Sequence, residues 1–200
     1  LSDVRIPSGE NYSNIIDKSF WELKTPYNVI YNSKNTKRGT AIIYKRDLEI
    51  KIVQEWKDDS GNILIAKVHF EKYNKFLLLG AIYGENKDNA KGFFNFIEKA
   101  LESTNERDRA IILGGDWNTV IDQSDVGVNI DIINMKHVPN RLNSFLLGNL
   151  CQKFDLSDPF RCKYPNKREY SYIPFGDTRK NRSRIDFFAV SYTHLRAHET

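Results

Sequence analysis

The sequence predicts a layered α/β domain, with helices packed outside mostly antiparallel sheets. Three observations carry that expectation. Segments with strand periodicity alternate with two amphipathic helical stretches along 200 residues. The segments from Glu49 to Tyr83 are joined by short polar turns, as an antiparallel meander requires. A hydrophobic fraction of 40% beside a charged fraction of 28% is that of a globular chain, which excludes collagen-like and wholly disordered readings.

The elements follow in order. Gly39–Tyr44 (GTAIIY) is apolar and β-prone. Glu49–Val53 alternates, with Ile50 and Ile52 on one face. Lys57–Asn62 (KDDSGN) is a polar, Gly-bearing turn, and Ile63–Phe70 and Phe76–Tyr83 are two further strands. Asp88 can cap a helix over 89–102, whose inner stripe is Phe93, Phe94, Ile97, Ala100 and Leu101. Arg109–Leu113 is a short buried strand before Gly114-Gly115. A helix over 141–154 turns Leu142, Phe145, Leu146, Leu150 and Phe154 inward. Strands near Glu169–Ile173 and Arg184–Val190 end the pattern.

Charge and cysteine usage narrow the setting. The balance of 30 basic and 26 acidic residues gives +4, a weak pointer to a polyanionic partner. Its distribution says more: from Arg161 to Arg184 there are eight Lys or Arg against Glu169 and Asp177 alone. Two cysteines, Cys151 and Cys162, make a poor disulfide framework, which favours a reducing, intracellular compartment, nuclear or cytoplasmic. No apolar run approaches the roughly 20 residues of a membrane-spanning helix. Leu1 is not a start residue, so the chain reads as cut from something larger.

Three segments carry chemistry. In Ile111–Val120 (IILGGDWNTV) a buried strand runs into two glycines, and Asp116 and Asn118 follow at its mouth. Glycines permit tight turning and close ligand approach. A carboxylate there can orient a water or a metal, and an amide can donate to a phosphate oxygen. The bland alternative is a strand-end turn in which both side chains cap backbone groups. In Ser183–Phe188 (SRIDFF), Asp186 alternates with Ile185 and Phe187 and faces the opposite side, where it could orient a histidine or simply be solvated. In Ala81–Asn86 (AIYGEN), Tyr83 and Asn86 arrive at a strand end; a phosphate contact from Tyr83 competes with ordinary strand-end chemistry.

Taken in order, these segments resemble the endonuclease/exonuclease/phosphatase superfamily, and within it the endonuclease domain of LINE-type (non-LTR) retrotransposons. The matching pieces are LSDVRI at 1–6, KRGTAIIYKRDLEI at 37–50, LLLGAIYGEN at 77–86, ILGGDWNT at 112–119, LSDPFRCKYPNKREYSYIP at 156–174 and NRSRIDFFAVS at 181–191. The resemblance implies a four-layered α/β sandwich, two mostly antiparallel sheets face to face with helices outside. It implies Mg²⁺-dependent nicking of DNA, with Mn²⁺ as a possible substitute, and a reverse transcriptase downstream in the same polyprotein.

Residue by residue, Asp3 sits where the family usually has its metal-binding Glu. Tyr83 matches the Tyr that contacts the scissile phosphate. Asp116 matches the Asp that orients or deprotonates the attacking water, and Asn118 the Asn that binds the phosphate. Asp186 matches the Asp that pairs with the catalytic His. Ser171 sits where Ser or Thr lines the DNA groove, with Asn86, Arg179, Lys180, Arg182 and Arg184 as further nucleic-acid contacts. The basic stretch 161–184, interleaved with Tyr164, Tyr170, Tyr172 and Phe175, suits a loop gripping backbone phosphates. Its bland counterpart is a solvated surface loop.

The sequence also departs from the family. An early strand with a metal-contacting Asn and a closing strand with an acid-His pair are not found. His194 and His198 do not follow an acid in that pattern, and His69 and His137 match no functional position. Residues 1–191 therefore read as one domain incomplete at both ends, and 192–200 (YTHLRAHET) as a non-native tail. A weak or inactive fragment is expected of these 200 residues. A phosphoesterase acting on monoesters or lipid head groups, and a non-catalytic nucleic-acid-binding module, stay open as alternatives.

Overall fold

The structure, a computed structural model, describes residues 24–34, 38–84, 90–104, 110–121, 130–133, 141–173 and 182–191. Asp3, Asn86, Asp88, His137, Arg179, Lys180, His194, His198 and the segment 192–200 lie outside the described residues. The chain divides into two compact units. One holds Leu1–Tyr83 with Lys99–Leu113, the other Gly84–Glu98 with Gly114–Thr200.

In the first unit, β1 (Tyr27–Lys34) and β2 (Arg38–Lys45) form an antiparallel hairpin, Tyr27 opposite Lys45. β3 (Ile50–Lys57), β4 (Ile63–Phe70) and β5 (Lys75–Tyr83) form the expected meander, with a bulge between Ile52 and Gln54. β2 packs against β4 and β5, so the hairpin lies over the meander. That placement explains β4: Ile63, Leu64, Ile65 and Ala66 are all buried, a continuous run rather than an alternation. β1 escapes a hydrophobicity reading because its one buried residue is polar, Asn32.

Asn32 is buried because it has partners. Its Nδ2 donates to the Asp58 carboxylate at 2.9 Å and to the carbonyls of Asp58 and Ile63 at 3.0 and 2.8 Å. The same carboxylate accepts the N–H groups of Ser60, Asn62 and Ile63, which shapes the β3–β4 turn. Burial nevertheless pushes the Asp58 carboxyl above the usual range, the four hydrogen bonds offsetting only part of the effect. Gly61 sits at φ +76°, and a Cβ there would strike the backbone of Lys34.

α1 (Ala90–Glu102) buries the expected stripe: Phe93, Phe94, Ile97, Ala100 and Leu101. β6 (Ala110–Asp116) does not stop at Leu113; it runs through both glycines to Asp116. In the first unit the strand order is β3-β4-β5-β6, beside the two-stranded β1–β2 sheet. The architecture is the α/β arrangement of mostly antiparallel sheets that the sequence predicts.

The second unit adds β7 (Ile132–Ile133), α2 (Arg141–Lys153), β8 (Leu156–Ser157), α3 (Pro159–Lys163), β9 (Arg182–Ser183) and β10 (Asp186–Ser191). β7 pairs with β9, and β8 with β10. Two expectations need correction here. α2 is rotated: Asn143, Ser144, Leu147, Leu150 and Cys151 are buried, whereas Leu142 is 43% and Phe145 64% exposed. The reason is polar, since Ser144 Oγ donates to the Val120 carbonyl at 2.8 Å and draws its own face inward. The strand expected at Glu169–Ile173 is reduced to one bridge, Tyr172 to Ser183. Among the described residues no helix is long and apolar enough to cross a membrane. Both cysteines are free thiols.

Candidate active site

The site grows from the end of β6. Gly114 has no side chain because the Phe188 ring occupies the space a Cβ would need. Asp116 closes the strand half-buried, and the chain then turns sharply through Trp117 and Asn118. Asn118 adopts φ 50°, a left-handed conformation that Asn tolerates better than most residues. Asp116 Oδ1 accepts the Asn118 N–H at 2.8 Å, an Asx turn that fixes the carboxylate.

Gly84 locks this turn from the other side. Its N–H donates to the Asp116 carbonyl at 2.6 Å, and its carbonyl accepts from Asn118 Nδ2 at 2.8 Å. A Cβ at Gly84 would run into the Trp117 carbonyl, so only glycine lets the two backbones approach. An amide carries two N–H hydrogens, so the bond to Gly84 leaves Asn118 one for an anionic oxygen.

Trp117 joins the turn to β10. It is 1% exposed, its N–H donates to the Ile185 carbonyl at 2.8 Å, and its indole Nε1 donates to the Phe187 carbonyl at 3.2 Å. Its ring stacks on Phe187 with centroids 5.6 Å apart. The backbone N–H groups of Ile185 and Asp186 both donate to Ser171 Oγ at 3.0 Å. Asp116, Asn118, Asp186 and Ser171 are thereby tied into one unit through Trp117 and Gly84. Asp186 is exposed while Ile185 and Phe187 are buried, the alternation expected. Tyr83 is half-buried at the end of β5, its N–H donating to the Asn62 carbonyl at 2.8 Å.

Arg184 corrects an expectation. It is 7% exposed and turned inward, not a groove cation. Its Nε donates to Asp131 at 2.7 Å, its Nη2 pairs with Asp158, and its guanidinium lies over the rings of Phe160 and Phe187 at 5.2 and 5.4 Å. A buried guanidinium needs such partners. Burial alone would lower its proton affinity, but the two carboxylates win and raise it. Asp131 shows the reciprocal effect: burial opposes ionisation, yet Arg161 and Arg184 hold its carboxyl below the ordinary value. Asp158 meanwhile caps α3, accepting from Phe160 and Arg161 N–H with Pro159 at the first helical position. Arg182 lies half-buried in β9. His69 is packed rather than placed for chemistry, with Nε2 3.0 Å from Asn74 Oδ1 and its ring stacked on Phe76.

Gly84, Trp117 and Asp158 were not singled out from the sequence. The available signals were the lone glycine after Tyr83, a tryptophan between two polar site residues, and the Asp-Pro dipeptide that opens a helix.

Among the described residues no group of three or more His, Cys, Asp or Glu comes together as a metal cage. Mg²⁺ does not need one, since it typically takes one or two carboxylates and keeps its waters. The site side chains offer only hard oxygen and amide groups, and Asp116 is a carboxylate fixed at a strand end, a donor chemistry that fits Mg²⁺.

No family model matches this chain. It is similar to the transposon TX1 uncharacterized 149 kDa protein of Xenopus laevis, 24% identical over 178 residues that make up 88% of this chain. The match spans 13% of that protein's length. Among solved structures, it is similar to the AP endonuclease LMAP from Leishmania major, with a TM-score of 0.72 at 15% identity over 96% of this chain and 68% of that one. It is similar to the 3′-5′ exonuclease NExo from Neisseria meningitidis, with a TM-score of 0.71 at 16% identity over 98% and 77%. The endonuclease domain of TRAS1, a telomere-specific non-LTR retrotransposon, gives a TM-score of 0.57 at 14% identity over 87% and 71%. The chain carries the α/β sandwich fold that these endonuclease/exonuclease/phosphatase proteins share.

Proposed function

We propose that the chain is a divalent-metal-dependent phosphodiesterase that nicks DNA, the endonuclease domain of a non-LTR retrotransposon polyprotein. The observation that carries this reading is the locked turn: Gly84 fixes both Asp116 and Asn118, and Trp117 ties them to Asp186 and Ser171. Phosphodiester hydrolysis needs a positioned base and fixed donors where charge develops on phosphorus-bound oxygen. Asp116 orients the attacking water and takes its proton. Asn118 donates its second N–H to a phosphate oxygen, and Tyr83 supplies a further neutral donor. Asp186 stands where a carboxylate would orient an imidazole, a role to which none of the four histidines of this sequence is assigned. Asp116 and Asp3 would hold Mg²⁺, which when bound neutralises charge on the phosphate. The likeness to the TX1 protein and to nuclease folds supports this assignment, and a reverse transcriptase in the same polyprotein is part of it.

Because these 200 residues alone are expected to be weak or inactive, incubation of the parent polyprotein with supercoiled plasmid and Mg²⁺ tests it. Nicked circles are expected, and Asp116→Ala should lower the rate at least a hundredfold, the typical scale for a general base. A wild-type rate no greater than that of Asp116→Ala would overturn the proposal. Turnover of small phosphomonoesters in place of DNA would move the assignment to a phosphatase.

A further inference from the structure

The basic stretch 161–184 is not one surface. Arg184 is buried on Asp131 and Asp158, and Arg161 is half-buried on Asp131. Lys163, Lys167 and Arg168 are exposed. Arg161 connects the two sets. With its Nε and Nη2 on Asp131, its Nη1 reaches outward and donates to the carbonyls of Tyr164 and Lys167 at 3.0 and 2.7 Å. Those carbonyls bracket a turn at Pro165-Asn166, closed by the Lys167 N–H on the Tyr164 carbonyl at 3.3 Å. A half-buried ion pair thus fixes an exposed loop.

What the loop presents is cationic and aromatic. The Tyr164 ring is 40% exposed, with the ammonium groups of Lys163 and Lys167 at 5.4 and 5.5 Å from its centroid. Lys167 is partly spent on Glu169, at 2.9 Å. Among the described residues neither Lys163 nor Arg168 has a carboxylate partner at ion-pair distance. The strap continues directly to Ser171, whose hydroxyl holds Ile185 and Asp186. Two residues separate Arg168 from Ser171, three Cα steps that reach about 10 Å at full extension. That is about three base-pair steps along a duplex strand.

We infer that Lys163 and Arg168, on the loop shaped by Arg161, contact backbone phosphates of a DNA duplex flanking the cleaved bond, and set affinity without reading sequence. This rests on the nuclease reading above and deepens it. Ammonium and guanidinium groups on an exposed turn suit phosphate oxygens, which carry no base information. A preformed loop also gives up less entropy on binding than a mobile one.

The test is fluorescence anisotropy of the full chain with a labelled 30-base-pair duplex in EDTA, across a salt series. Two phosphate contacts contribute about 1.8 to the slope of log K against log salt. Lys163→Ala/Arg168→Ala should lose about that slope and bind tens of times more weakly at 0.1 M salt, to the same extent for unrelated sequences. Arg161→Ala, which keeps both cations but frees the loop, should weaken binding less. An unchanged slope in the double variant would overturn the inference, as would a loss seen on single strands but not on duplex. The two proposals fail separately. Plasmid nicking by the parent polyprotein with an unchanged slope removes the loop contact, while slope loss without any nicking by the polyprotein removes the hydrolytic reading.

Discussion

At the residue scale the site is built around Asn118, which performs two tasks that substitution can separate. Its left-handed φ of 50° favours Asn or Gly, and its side chain bonds Gly84. Asn118→Ala loses the hydrogen bond, about 1 kcal/mol, and meets a left-handed penalty of about 1–2 kcal/mol. Asn118→Gly loses the bond and escapes the penalty. Urea denaturation should therefore find the glycine variant more stable than the alanine variant. If Asn118 is the phosphate donor, nicking assays should find the two equally impaired. Activity that followed stability instead would show that Asn118 shapes the turn and does not touch phosphate. This division was half legible in the sequence. Gly-Gly-Asp-x-Asn after an apolar strand announces a polar turn at a strand mouth. The role of Gly84 was not legible, because its contacts lie 32 to 34 positions along the chain at Asp116 and Asn118.

At the element scale the second unit is organised by charge as much as by apolar packing. Arg184, between β9 and β10, turns inward because Asp131 and Asp158 wait there, and Phe160 and Phe187 cover its guanidinium faces. In the sequence it is one of eight cations in a row of loops, and local pattern cannot separate a buried arginine from a solvated one. Arg184→Met should cost about 3–5 kcal/mol at pH 7, since it strands buried carboxylates. The pH dependence follows from Asp131. Its folded pKa lies below the unfolded value of about 3.9, so the folded state binds fewer protons. That contribution is complete above the unfolded pKa and is lost as pH falls through the folded one. In the variant much of this term is gone, so the gap between the two proteins should be widest near neutrality and narrow below about pH 4. Chemical denaturation at pH 7, 5 and 3.5 reads it directly; a pH-independent gap would place the effect in packing. α2 makes the same point about polar anchors. With Leu142 and Phe145 exposed, Leu142→Lys/Phe145→Lys should change stability by less than about 1 kcal/mol. Leu147→Ala should cost about 2–5 kcal/mol. The reverse order would restore the helix face that hydrophobicity alone predicts.

For the whole molecule, the strand and helix periods of the sequence were enough for the class of fold, because β4, β5 and α1 bury the residues their patterns expose to inspection, and β3 half-buries Ile50 and Ile52 in alternation. What periodicity missed were elements held by polar side chains: β1 through Asn32, the inward face of α2 through Ser144, and the cap of α3 through Asp158. The thiols give a probe of how far that packing holds across the second unit. Cys151 is buried in α2, and burial, aided by the nearby Asp158 carboxylate, pushes its thiol up to about 12. At pH 8 its thiolate fraction is therefore on the order of 10⁻⁴, while Cys162 stands exposed. A chromogenic disulfide reagent at pH 8 should titrate one thiol per native chain and two in denaturant. The second should appear with the same urea midpoint as the Trp117 fluorescence change, because Leu147, Leu150 and Cys151 are released only when α2 leaves its packing. Prior release of Cys151, with Trp117 still buried, would mean that α2 opens alone and that the turn bearing Asp116 and Asn118 is stabilised by β10 without it.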